Sequence, residues 1–151
     1  MNTICAAADL KGNIGLGSSN IFHPLASVNA GNYSIIIGNG NIFAPKSSIV
    51  AHRDLEIGSN NIFGPGSLIT GSVGDNCVFG TRARHEIGHC SSDTKVLQMC
   101  STDTIDGLME KNIIVHPFGV RIGAAARNEN QSQREYLEKT LANYHKVRHE
   151  I

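Results

Sequence analysis

Histidine and cysteine are the side chains of this 151-residue sequence best suited to chemistry, seven of the first and four of the second. His85-Glu86-Ile87-Gly88-His89 matches H-E-x-x-H, in which two histidines one helical turn apart bind zinc and the glutamate serves as base. That chemistry requires a helix. Here the segment falls in a six-residue count of apolar positions, with Ile87 in an inward role and Gly88 behind it, so the spacing predicts a coil corner instead. His85, His89, Cys90 and Cys100 are a formal set of imidazoles and thiolates for tetrahedral zinc. Their spacing, H-x3-H-C-x9-C, fits no familiar knuckle. The expectation is no metal and no catalytic residue.

The elements that would position these groups follow from an internal repeat. Leu16-Gly-Ser-Ser-Asn-Ile-Phe22, Ile37-Gly-Asn-Gly-Asn-Ile-Phe43, Ile57-Gly-Ser-Asn-Asn-Ile-Phe63 and Val73-Gly-Asp-Asn-Cys-Val-Phe79 are one block four times over. Eight residues after each leading aliphatic stand Pro24, Pro45, Pro65 and Thr81; ten after stand Ala26, Ser47, Ser67 and Ala83. Large apolar residues step by six, as in Ile4, Leu10, Leu16, Phe22 and Val28. An α-helix repeats its face at 3.6 and a strand at 2, so six fits neither. It fits a coil of short strands with tight corners, one aliphatic per strand pointing to the axis: an all-β solenoid, a parallel β-helix of hexapeptide repeats.

Successive blocks lie 21, 20 and 16 residues apart, against 18 for a coil of three hexads. Small insertions are therefore expected within 29–36 and 50–56, and a tightened last coil. Glycine after the leading aliphatic (Gly17, Gly38, Gly58, Gly74) suits a positive φ or a close backbone approach. Stacked coils would bring Asn20, Asn41 and Asn61 into an amide ladder ending at Cys77, and Phe22, Phe43, Phe63 and Phe79 into an apolar one. From Ile87 the count weakens and 90–108 gives no register, although Val115-His-Pro-Phe-Gly-Val120 echoes Phe22-His-Pro-Leu-Ala-Ser-Val28.

After residue 128 the period changes, which predicts a β-helix over residues 1–128 and one amphipathic helix over residues 129–151. Ser132-Gln-Arg-Glu135 reads as a capping box. Leu137, Leu141, Tyr144, Val147 and Ile151 follow as one apolar stripe, candidates for packing on the solenoid or for contact with a partner.

Thirteen basic and thirteen acidic residues leave zero net charge, which disfavours nucleic acid and anionic membranes as partners. No window approaches the ~20 apolar residues of a membrane helix. The N-terminus lacks a basic stretch followed by an apolar run, so the expectation is a cytoplasmic chain with its four cysteines reduced.

Hexapeptide β-helices include two enzyme classes. Carbonic anhydrases of the gamma class hold zinc on three histidines between subunits, two of them in H-x4-H. This sequence has His23, His52, His85, His89 and His116 but no such pair. Hexapeptide acyltransferases bind coenzyme A and use a histidine as general base, for which His52, in the 50–56 insertion, is the best-placed candidate.

Ile4-Cys-Ala-Ala-Ala-Asp-Leu10-Lys-Gly-Asn13, the repeat blocks and Leu137-Glu-Lys-Thr-Leu-Ala-Asn-Tyr-His145 together resemble the dynactin subunit 6 family. The discriminating feature is a short β-helix followed by one helix containing Leu-x-Asn-Tyr-His. The resemblance implies a left-handed β-helix and a non-catalytic structural or adaptor role, without cofactor, at the pointed end of dynactin. It implies a hetero-oligomer with dynactin subunit 5, the pointed-end actin-related protein and dynactin subunit 4. It further implies a cytoskeleton-associated place in dynein-dependent microtubule transport and cargo selection.

Overall fold

The chain winds through about five turns of a three-sided parallel β-solenoid. The computed structural model describes residues 1–102, 113–116, 119–122 and 130–151, the two short middle segments as backbone plus the side chains of Ile114 and Val115. The first side stacks Thr3–Cys5, Ile21–Phe22, Ile42–Phe43, Ile62–Phe63, Val78–Phe79, Lys95–Val96 and Ile113–His116, each parallel to the next. Asp9–Leu16 and Ser27–Ile37 run continuously across the second and third sides of the first two turns. Later turns divide into Ser48–Val50, Leu68–Ile69 and Arg84–His85 on the second side, and Leu55–Ile57, Ser72–Val73 and His89–Cys90 on the third.

Burial identifies the inward positions. Ile4, Phe22, Phe43, Phe63, Phe79 and Val96 line the first side, Val28, Ile49, Ile69 and His85 the second, and Ile37, Ile57, Val73 and Cys90 the third, all buried. Each large aliphatic or aromatic contributes about 1.5–3 kcal/mol by leaving water. The phenylalanine rings stack from turn to turn with centroids 4.3, 4.9 and 5.4 Å apart.

Two sides keep a strict step of six residues between inward positions, such as 16 to 22 to 28 and 37 to 43 to 49. All length variation falls on the passage from the second side to the third: Val28 to Ile37, Ile49 to Ile57, Ile69 to Val73, His85 to Cys90. That variability corrects one expectation. Ile87 does not point inward; it is 74% exposed at a corner where Gly88 has φ +79°, and Cys90 takes the inward place beneath Val73. Nor does the register lapse at Cys90, because Lys95–Val96 and the Arg84 to Ser101 bridge continue it to residue 102. Residues 103–108 of that stretch lie outside the described set.

The corner between the first and second sides repeats one geometry. Leu25, Lys46, Gly66, Arg82 and Met99 occupy equivalent sites with φ between 56° and 69°. Behind them an i to i+3 bond closes, such as Ser47 N to Ala44 O at 3.1 Å. Proline at i+1 and positive φ at i+2 is the pattern of a type II turn, which is why Pro24, Pro45 and Pro65 recur there. The glycines after the leading aliphatic are needed for close approach, not for φ. A Cβ on Gly58 would stand 2.4 Å from the Gly74 carbonyl oxygen of the next turn.

Beyond Ile113–His116 the echo of a coil at Val120 fails. Gly119–Ile122 folds back antiparallel, setting Val120 beside Val115 instead of on the second side.

Candidate functional site

Among the described residues the helix near the end of the chain is the one large element outside the solenoid. It runs from Asn130 to Tyr144, so Ser132, where the capping box places the helix start, lies inside it. Ile21, Ile42 and Ile62 precede the inward phenylalanines and therefore face outward on the first side. They form a stripe that Leu141 and Leu137 cover, with Cys5 and Val147. Asn130 Nδ2 donates to the Asn61 carbonyl at 3.2 Å, and the Arg134 guanidinium bonds Asn130 Oδ1. Gly40 makes room for that guanidinium, because a Cβ there would stand 2.9 Å from its Cζ.

The stripe does not survive as one helical face. Tyr144 is 80% exposed and Ile151 is exposed, while Val147 belongs to a strand, Val147–Arg148, paired antiparallel with Thr3–Cys5. Ala6 N donates to Lys146 O at 2.7 Å, Arg148 Nη2 to Ala8 O at 3.2 Å, and His149 Nδ1 to Asn2 O at 2.6 Å. The tail strand, not the helix, thus closes the first side at the N-terminal end of the solenoid.

A second polar system lies inside. Asn20, Asn41 and Asn61 are fully buried; Asn41 N and Asn61 N donate to the amide oxygens of Asn20 and Asn41 at 2.9 and 3.0 Å. Their Nδ2 groups donate to the carbonyls of Gly38, Gly58 and Gly74, each at 2.9 Å. The stack begins one turn earlier than the repeat blocks indicate, at Asn2, whose Oδ1 accepts from Asn20 N at 2.9 Å. Cys77 ends the asparagine stack: its N donates to Asn61 Oδ1 at 2.7 Å, and its thiol donates to Ser91 O at 3.1 Å. Burial and a hydrogen bond with the Cys90 thiol push the Cys77 pKa up, the bond being the larger cause. Cys77 is therefore a closed polar link, not a nucleophile.

The residues with metal or catalytic potential are not brought together. His85 is buried: its Nε2 donates towards the carbonyls of Ser72 at 3.0 Å and Gly88 at 3.2 Å, and Nδ1 faces the Thr102 hydroxyl at 2.7 Å. His89 is exposed on the third side, Cys90 and Cys100 are buried, and all four cysteines are free thiols. No helix exists at 85–89. Among the described residues no three His, Cys, Asp or Glu side chains gather to hold a metal. His52 is exposed in the corner before Leu55, and the His116 side chain lies outside the described set.

Surface features of the described residues include a shallow cavity of about 430 Å³ on the third side, lined by Ser34, Ile36, Asp54, Leu55, Glu56, Ser72 and His89, and exposed Tyr136 and Tyr144 on the helix. No helix of the described residues is long and apolar enough to cross a membrane.

This combination of a short hexapeptide solenoid and one helix laid along its first side is matched along almost its whole length by known sequences. Dynactin subunit 6 of Nematostella vectensis is 28% identical over 97% of this chain and 89% of its own. Those of Danio rerio and Xenopus tropicalis are 26% and 28% identical over 96% of this chain and 83% and 80% of theirs. The chain is similar to dynactin subunit 6 from end to end. No protein-family model matches it. Among solved structures, PerB from Caulobacter crescentus, in complex with CoA and GDP-perosamine, superimposes with a TM-score of 0.67 at 20% identity over 81% of this chain. The match takes in 56% of PerB, so the chain spans just over half of that protein, and the likeness is one of fold.

Proposed function

We propose that this chain is a non-catalytic structural and adaptor subunit of the dynactin pointed-end complex, in the cytoplasm and associated with the cytoskeleton. There it would pair with dynactin subunit 5 beside the pointed-end actin-related protein and dynactin subunit 4, supporting dynein-dependent microtubule transport and cargo selection. The observation that carries this reading is the similarity to dynactin subunit 6 of three animals over 96% or more of the chain. Two features of the site agree with a scaffold. Its buried asparagines are spent on hydrogen bonds between turns, and its helix and tail are spent on closing the solenoid. A surface open to a partner is the outer helix face, where Tyr136 and Tyr144 offer rigid, amphipathic side chains of the kind enriched in protein interfaces.

The test is purification of the tagged chain from its source cell, with co-purifying proteins identified and their amounts measured. Subunit 5 and the actin-related protein are expected at ratios near one to one, diminished when Tyr136 and Tyr144 are both changed to Ala. Recovery of the chain alone from a lysate that contains assembled dynactin would overturn the reading.

A further inference from the structure

The shallow cavity on the third side combines three properties that the scaffold does not explain. Its apolar part is Ile36, which lies 58% exposed on an otherwise polar side, with Leu55 buried beneath as a floor. Its acidic part is Asp54 and Glu56, from the loop and strand that follow the second-to-third passage of the third turn. Among the described residues the ion pairs are Asp9 with Lys11 and Arg84 with Glu86, so neither Asp54 nor Glu56 pairs with a cation of those residues. Its third part is a set of acceptors already held in place. Asp54 Oδ1 accepts Ser34 N at 2.9 Å, which fixes the carboxylate, and Ser72 Oγ accepts Glu56 N at 3.1 Å, which fixes the hydroxyl.

We propose that this cavity receives an arginine side chain from an extended segment of a partner protein, its stem lying on Ile36 and its guanidinium between Asp54 and Glu56. The charge of the cavity calls for a cation, and the exposed isoleucine calls for one carried on an apolar stem. Arginine suits it better than lysine. Its planar fork presents five donors to acceptors that are spread over Asp54, Glu56 and Ser72, whereas an ammonium meets one point at a time and holds its water more tightly. The preformed bonds at Asp54 and Ser72 mean that little ordering is left to occur on binding.

The proposal goes beyond the assembly reading and does not depend on it, because the site is defined by ligand chemistry alone. It is tested on the full chain, labelled for NMR, by titration with a blocked Gly-Arg-Gly peptide, with Gly-Lys-Gly, Gly-norleucine-Gly and Gly-Glu-Gly peptides as comparisons. Saturable shifts are expected at the Ile36 methyls and the amides of residues 54–56 and 72, tighter for arginine than for lysine and absent for glutamate. Both carboxylates are exposed and Asn keeps the oxygen that Ser34 N uses, so Asp54→Asn with Glu56→Gln should leave the fold intact and weaken binding roughly tenfold. Ile36→Ser, which keeps the charge, should weaken it as well. Absence of saturable shifts overturns the proposal. So do shifts that persist unchanged in the carboxylate double variant, or a norleucine peptide that binds as well as the arginine one.

Discussion

At the scale of single residues the interior sorts its polar groups into two kinds with opposite consequences. The side chain of Asn41 donates to Asn20 Oδ1 and the Gly58 carbonyl and accepts from Asn61 N, all in neighbouring turns. Asn41→Ala leaves the buried Asn61 N and the Gly58 carbonyl without those bonds, so it should cost at least about 1–3 kcal/mol, read as a lower urea midpoint. Ser47 and Ser67 are equally buried, yet neither hydroxyl has a partner among the described residues. Ser47→Ala should therefore be neutral or stabilising. Loss of stability at Ser47 equal to that at Asn41 would mean that its hydroxyl is bonded. Phe43, stacked between Phe22 and Phe63, should cost about 3–5 kcal/mol when cut to alanine. His23 supplies a pH dependence. Burial first, and the nearby His145 second, lower its pKa from the usual 6.5. The folded state then binds fewer protons than the unfolded chain as pH falls through that range, so the stability present above it is lost on acidification. Melting temperatures measured from pH 7.5 down to 5.5 should fall less steeply for His23→Gln than for the parent, and parallel curves would remove His23 as the cause.

At the scale of elements, the six-residue step and its two invariant corners could be read from the sequence because corner chemistry repeats with them. A small residue at i+3 marks each of these first-to-second corners, and proline at i+1 marks three of them, with Thr81 and Gln98 in its place later. The second-to-third passage has no such constraint, and its four, five, eight or nine residues could not be counted from hydropathy. Hydropathy alone points to Ile87 as the inward residue, but steric demand at the corner, not apolarity, decides which residue faces the axis. No repeat block marks Asn2, because a ladder's first member lacks the block around it. The end of the chain was legible as helical up to Tyr144, but Val147 satisfies both a helical period and a strand, and only the unpaired edge of Thr3–Cys5 selects the strand. That choice is testable. Removing residues 145–151 leaves Leu141 on the isoleucine stripe but frees Ala6 N and the Thr3–Cys5 edge. The truncated chain should keep its helical circular dichroism while Ala6 loses hydrogen-exchange protection and self-association rises, as open edges recruit other strands. Loss of the helix signal as well would show that helix and tail dock as one unit.

At the scale of the molecule, each turn touches only its neighbours, so stability is a sum over turns and interfaces and need not be even along the axis. The asparagine ladder joins the first four turns, from Asn2 to Asn61, the rings join the second to the fifth, from Phe22 to Phe79, and the helix is clamped across the first four from Asn61 to Cys5. Past Phe79 both ladders stop. The next inward residues are His85, Cys90 and Val96, smaller or polar, and the amide stack gives way to Cys77 and Thr94, which hold on through Ser91 O at 3.1 and 2.8 Å. Opening should therefore begin at the far end and proceed turn by turn towards the clamped one. Native-state hydrogen exchange measured against denaturant should give the amides of 84–102 a lower opening free energy and a smaller dependence on denaturant than those of 21–63. Cys77→Asn, which lengthens the amide stack by one turn, should raise the protection of 78–96 and leave the earlier turns unchanged. A single opening free energy shared by all turns would mean that the solenoid unfolds as one unit and that its ladders do not set where it frays.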